Sequence, residues 1–193
     1  MSFPGGGVEP LAAIATRVRA CTGCPLALGR IRAVPGSGAL LSRVVLIGEA
    51  PGATEDRCGE PFVGAAGRLL TELLGGAGLD RSRVFITNAV KCRPPHNRDP
   101  RPEEVAACAP FLEAQLEVIN PQVVVTLGRH AMARLLPQAG MISAEHGRRF
   151  RVAGRTVIPL YHPAAAIYDR GLRAVLEQDL RSLAGMLEAG ACG

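Results

Sequence analysis

The sequence predicts an α/β protein, a three-layer α/β/α sandwich around a central, mainly parallel four-stranded sheet. Three observations lead there. Four short apolar runs, at residues 43–47, 84–87, 123–127 and 156–160, are continuous in hydrophobicity, as in strands covered on both faces. Helical patterns lie between them, and strand–helix alternation favours parallel strands joined by crossover helices. The chain has 193 residues, 48% of them hydrophobic. That suits a single domain spanning 1–193, whose core buries roughly 70% of the surface exposed by the unfolded chain.

Taken in order, residues 1–7 are Gly-rich and expected to be disordered. A helix over 10–20 leads into Cys21-Thr-Gly-Cys24. The first strand, Arg43-Val-Val-Leu-Ile47, stops at Gly48, and a polar, Gly-rich loop follows as far as Gly64. The next helix, over 65–77, carries Leu69, Leu70, Leu73 and Leu74 on one face. After the second strand, Val84-Phe-Ile-Thr87, a helix over 102–119 opens with Pro102 and two glutamates. Proline there loses only an N–H that would be unsatisfied anyway, and acids suit the positive helix start. The third strand, Val123-Val-Val-Thr-Leu127, precedes a short helix over 131–136. Residues 149–155, around Ala153-Gly154, read as a hairpin into the fourth strand, Thr156-Val-Ile-Pro-Leu160, and 171–189 as a terminal helix.

Ligands of open parallel sheets gather at the carboxyl ends of the strands. Here those ends read Gly48-Glu-Ala-Pro-Gly52, Asn88-Ala-Val-Lys-Cys92, Gly128-Arg-His130 and Tyr161-His-Pro163. Glycine lets backbone N–H groups come close to a ligand. The carboxamide of Asn88 donates and accepts at once, which suits the Watson–Crick edge of a pyrimidine, though such a residue also caps helices and turns. Phe62 is the ring of an otherwise polar loop: it either stacks on a planar ligand or plugs the core. His162 is singled out from four histidines by its place at a strand end.

No apolar run approaches the roughly 18 residues of a membrane helix, and the start, Met-Ser-Phe-Pro-Gly-Gly-Gly, has no targeting pattern. A cytoplasmic protein without a membrane partner is therefore expected. In reducing surroundings six cysteines argue for metal before disulfides. Cys21 and Cys24 form one pair; Cys92 and Cys108, separated by fifteen residues, form another. Four thiolates suit either zinc or an iron–sulfur cluster. Cys58, in the polar loop, and Cys192, in the tail, are left over. The net charge of +5 and a pI near 9.2 fit a polyanionic partner such as nucleic acid. With 4% aromatic residues and no Trp, a broad base-stacking platform is not expected.

Four motifs lie in register with these cysteines: Gly48-Glu-Ala-Pro-Gly-Ala-Thr-Glu-Asp56, Gly59-Glu-Pro-Phe-Val-Gly64, Thr87-Asn-Ala-Val-Lys-Cys-Arg-Pro-Pro95 and Tyr161-His-Pro-Ala-Ala165. Together they resemble the family 4 uracil-DNA glycosylases, over nearly the whole chain from Cys21 onward. The resemblance implies the uracil-DNA glycosylase fold and an enzyme that flips uracil from single- or double-stranded DNA. Hydrolysis of the N-glycosidic bond would leave an abasic site and start base excision repair.

The same resemblance implies a 4Fe-4S cluster on Cys21, Cys24, Cys92 and Cys108, deciding for iron over zinc. It carries catalytic roles to Glu49 and His162, and uracil binding to Phe62 and Asn88. Gly48, Ala50 and Gly52 belong to the loop whose N–H groups would read the uracil carbonyls, and Glu55 would crowd C5 and exclude thymine. A monomer, nucleoid-associated in a bacterial or archaeal cell, is expected. Arg57, Lys91, Arg93, Arg98, Arg101 and Arg170 are candidates for phosphate contacts. The family often carries two leucines and an arginine after His-Pro-Ala; here the stretch is Ala165-Ala-Ile-Tyr-Asp-Arg170, which leaves Ile167 or Tyr168 as the wedge. His96 reads as an ordinary loop residue. The competing readings are a covalent uracil-trapping relative, a non-catalytic iron–sulfur DNA-binding module and a zinc-bound nucleotide-binding protein. The first lacks its basic insertion here; the second is opposed by the intact Glu49, Asn88 and His162.

Overall fold

The computed structural model describes residues 10–189, so the disorder expected for 1–7 and the tail cysteine Cys192 lie outside the described residues. Helix α1 (Leu11–Ala20) and the single turn α2 (Leu26–Gly29) precede a two-residue strand β1 (Ser37–Gly38) and β2 (Val44–Gly48). Helices α3 (Ala53–Cys58) and α4 (Ala65–Gly76) follow. A 3-10 turn at Arg81–Arg83 introduces β3 (Phe85–Asn88), and another, Pro95–Asn97, precedes α5 (Pro102–Ile119). Then come β4 (Val123–Leu127), α6 (Arg129–Leu135), α7 (Ile142–Glu145), β5 (Phe150–Val152), β6 (Arg155–Leu160), α8 (Pro163–Ala166) and α9 (Arg170–Ala189).

The sheet has six strands in the order β1-β3-β2-β4-β6-β5, which corrects the expected four. The four expected strands form its parallel centre; β1 and β5 flank it antiparallel. Both additions are short pairings on the edges, with too few residues to show a period of two. The β5–β6 hairpin closes through Ala153 (φ 47°) and Gly154 (φ 79°), consecutive positive-φ residues that match the twist of paired strands.

Alternate side chains of β2 divide between the two layers, as a strand of period two requires. Val44 and Leu46 pack with Leu70 and Leu74 of α4 and Leu176 and Leu180 of α9; Val45 and Ile47 pack with Leu112 and Leu116 of α5 and Met132 of α6. Every residue of β2 and β4 is buried, which is why those runs are continuously apolar. Helix α5 starts at Pro102, and the buried Glu104 reaches back to accept the Arg101 N–H at 2.8 Å. The chain passes from β2 to β3 on one side, then returns across β2 to β4 on the other. Such a reversal leaves a crevice at the carboxyl ends of the strands.

Candidate active site

The loops leaving β2, β3 and β6 converge on one cavity of about 390 Å³. Its wall includes Glu49, Ala50, Gly52, Glu55, Phe62, Asn88 and His162. Gly48 lies directly beneath: a Cβ there would sit 2.4 Å from Asn88 Oδ1 and 2.7 Å from the Phe62 ring. Glycine is therefore required for the two side chains to meet. All eight residues expected at the base-binding and catalytic site are thus brought together from segments more than a hundred residues apart.

Asn88 ends β3 opposite Gly48 and is 2% exposed. Among the described residues, no protein group hydrogen-bonds its carboxamide, which leaves that amide for a ligand. Phe62 meets both expectations raised by the sequence. It belongs to the core beside Leu70 and Leu74, and it also forms cavity wall. Its backbone is left-handed (φ 52°), a conformation that needs support in a bulky residue. Arg81 Nη2 supplies that support by donating to the carbonyls of Pro61 (2.8 Å) and Phe62 (3.1 Å). From the other side Glu55 Oε1 accepts the N–H groups of Val63 (3.0 Å) and Gly64 (2.7 Å). Glu55 is therefore a buttress of the Phe62 loop as well as cavity wall.

His162 caps α8: its Nδ1 accepts the Ala164 N–H at 3.1 Å. Burial lowers its pKa to about 4, with the Glu55 carboxylate pulling the other way. The ring is thus neutral near pH 7, with its proton on Nε2. It lies 5.7 Å from the Phe62 ring. Gly128, at the end of β4 with φ 89°, leaves room for it: a Cβ there would come within 3.0 Å of His162 Cβ.

Glu49 is partly buried, and burial raises its carboxyl above the usual range; His130 and Arg129 act in the opposite sense, and Asp99 adds to the rise. His130 Nε2 lies 3.8 Å from Glu49 Oε2, 3.1 Å from Asp99 Oδ2 and 2.9 Å from Arg129 Nε. Sequence reasoning passed over His130, Asp99 and Arg81. The first was visible only as part of the strand end Gly128-Arg-His130, and its partner Asp99 comes from a distant loop.

Two further placements correct the sequence reading. Cys58 ends α3 and is exposed, because residues 53–58 are helical where a polar loop was expected. Lys91 is 1% exposed and cannot reach a phosphate. Arg98, another phosphate candidate, lines the cavity while its guanidinium grips Glu104 at 2.7 and 2.8 Å. His96 is an exposed loop residue with φ 54°. Just beyond α8, Tyr168 is 95% exposed and Ile167 38%.

A second, small cavity is lined by Cys21, Cys24, Cys92 and Cys108, between α1 and α5. Burial raises the Cys92 thiol, and raises that of Cys108 to about 11. Donors around the sulfurs work against this. Arg30 Nη1 donates to Cys92 Sγ at 3.0 Å and the Lys91 N–H to Cys108 Sγ at 3.3 Å. The Gly23 N–H also reaches Cys21 Sγ, at 3.4 Å. An all-sulfur set with N–H donors and cations around it suits a soft metal centre held by thiolates.

Residues 35–183 match the model of the Uracil DNA glycosylase superfamily. A type-4 uracil-DNA glycosylase of Thermotoga maritima is 46% identical over 176 residues, covering 89% of this chain and 92% of that protein. One from Saccharolobus solfataricus is 45% identical over 185 residues, with 91% and 86% covered. One from Sulfurisphaera tokodaii is 43% identical over 185 residues, with 91% and 84% covered.

Proposed function

This chain belongs to the uracil DNA glycosylase superfamily, alongside its type-4 members, and we propose that it releases uracil from DNA as a monofunctional N-glycosylase. The observation that carries the reading is the meeting of Glu49, Phe62, Asn88 and His162 on one cavity, with the histidine neutral. A base cannot be reached inside a duplex, so the nucleotide is extruded into the cavity. Phe62 stacks on the flipped uracil, and Asn88 reads its edge with one donor and one acceptor. The backbone N–H groups of Glu49, Ala50 and Gly52 bind its carbonyls. Glu55, fixed by Val63 and Gly64, is the wall that excludes a C5 methyl. The exposed Tyr168 is the wedge that fills the gap left in the stack.

When the bond from C1′ to N1 breaks, its electron pair leaves with uracil and positive charge remains on the sugar. His162 Nε2–H donates to O2 as negative charge grows there, a contact that strengthens mainly in the transition state. Glu49 steadies the cation and takes the proton of the water that adds to C1′. The products are uracil and an abasic site, the entry to base excision repair. The protein works as a monomeric single domain and is nucleoid-associated; among the described residues, no helix is long and apolar enough to cross a membrane.

The four cysteines hold a 4Fe-4S cluster, whose chemistry here is that of a cross-link tying the segment after α1 to the β3 loop and α5. The four cysteines that line one small cavity and the N–H donors to their sulfurs support this, together with the similarity to type-4 relatives. Iron analysis and uracil release from a single-stranded oligonucleotide test both halves. A zinc-loaded protein that releases no uracil would favour the nucleotide-binding reading.

A further inference from the structure

Lys91 stands between the cysteine cavity and the strand end that carries Asn88. Its side chain is among the largest that are fully buried. Nζ donates to Thr87 Oγ1 at 2.6 Å, Gln115 Oε1 at 2.7 Å and the Asn88 carbonyl at 2.8 Å. All three partners are held as acceptors. The Thr87 hydroxyl donates to the Pro35 carbonyl at 3.0 Å, and Gln115 Nε2 donates to the same oxygen at 2.6 Å. The third is a carbonyl. All three N–H bonds of an ammonium are therefore used.

Among the described residues no carboxylate pairs with this side chain; burial lowers its pKa to about 7, the neighbouring Cys108 acts in the opposite sense, and Cys108 Sγ accepts the Lys91 backbone N–H at 3.3 Å. One residue thus grips a cysteine sulfur through its main chain and the base-reading strand end through its side chain.

We propose that Lys91 is a positioning residue that couples the metal-binding cysteines to uracil recognition by fixing the backbone of Asn88. The proposal rests on the reading of Asn88 as the uracil-binding residue and of the four cysteines as metal ligands. The cross-link then does more than hold the N-terminal segment: it anchors the cation that sets the height and direction of the Asn88 carboxamide.

The test uses the full chain with its metal bound and compares Lys91→Met, Asn88→Ala and the double variant. Iron per chain, affinity for free uracil and single-turnover cleavage of uracil-containing single-stranded DNA are measured. Lys91→Met should keep its iron yet lose about tenfold in both uracil affinity and cleavage, the size of one hydrogen bond to a charged group. The double variant should be no worse than Asn88→Ala alone. Parental values for Lys91→Met, or losses that multiply in the double variant, overturn the coupling while leaving the activity standing. Parental values for Asn88→Ala overturn the coupling and the reading of Asn88 together. Should Lys91→Met not fold, Thr87→Val removes one acceptor of the same ammonium; it should give a smaller loss with the same lack of additivity, and an additive loss would refute the proposal.

Discussion

His162 Nδ1 accepts the backbone N–H of Ala164 at 3.1 Å, which leaves the proton of the neutral ring on Nε2. The helix cap thereby selects the tautomer that can donate to a leaving base. His162→Ala should lower single-turnover cleavage about 10²–10³-fold, the usual effect of removing one transition-state donor. Affinity for abasic-site DNA should stay within a factor of a few. A parallel fall in cleavage, affinity and melting temperature would instead mark the histidine as a buttress of Pro163.

The pH dependence follows from the same ring. Its folded pKa is about 4, against about 6.5 for a free imidazole, so folding favours the neutral form. The unfolded chain binds more protons between those values. This contribution to stability is therefore complete above about pH 6.5 and lost as pH falls towards about 4. Cleavage should show no titration of His162 between pH 6 and 8. The acid limb should come from Glu49, whose carboxyl burial holds above the usual range, and Glu49→Gln should abolish that limb with a loss of about 10²-fold or more in rate. Activity that climbs as pH drops through 6.5 would point to an imidazolium and contradict the neutral donor.

Much of this site was legible before the structure, for physical reasons that differ between residues. Asn88 and His162 announce themselves because apolar runs end at them, and parallel sheets open at those ends. The continuous burial of β2 and β4 makes their runs unmistakable, whereas β1, with two residues, and β5, with three, offer no period to detect. Lys91 was misread because lysine is almost always solvent-exposed, and only the tripod of acceptors from β3 and α5 reveals why this one is not. The contacts of Arg81 and His130 depend on loops meeting in space, which no local pattern encodes.

Tyr168 offers a bare aromatic ring, 95% exposed, two residues beyond the helix capped by His162. A wedge matters only where a stack must be opened. Tyr168→Ala should slow cleavage of duplex uracil at least about tenfold, which corresponds to the stacking energy of one base on a ring. Single-stranded substrate should be cut at close to the parental rate. Equal losses on both substrates would remove the wedge assignment.

The cluster proposed for the four cysteines predicts a brown protein with iron bound; N–H donors already reach three of the sulfurs, those of Cys21, Cys92 and Cys108. Cys108→Ser should lower iron content and melting temperature together, since Cys108 lies on α5 and joins it to the core around α1. Stoichiometric zinc with no iron after anaerobic preparation would sink the cluster assignment.

The most direct test of the central claim is uracil release from a single-stranded oligonucleotide carrying one uracil. It is followed by chromatography of the free base, with Asn88→Ala and His162→Ala alongside. The parent protein should yield free uracil and an alkali-labile abasic site, and His162→Ala should slow release about 10²-fold or more. Iron-loaded, folded protein that releases no uracil, or variants that release it at the parental rate, would contradict the account.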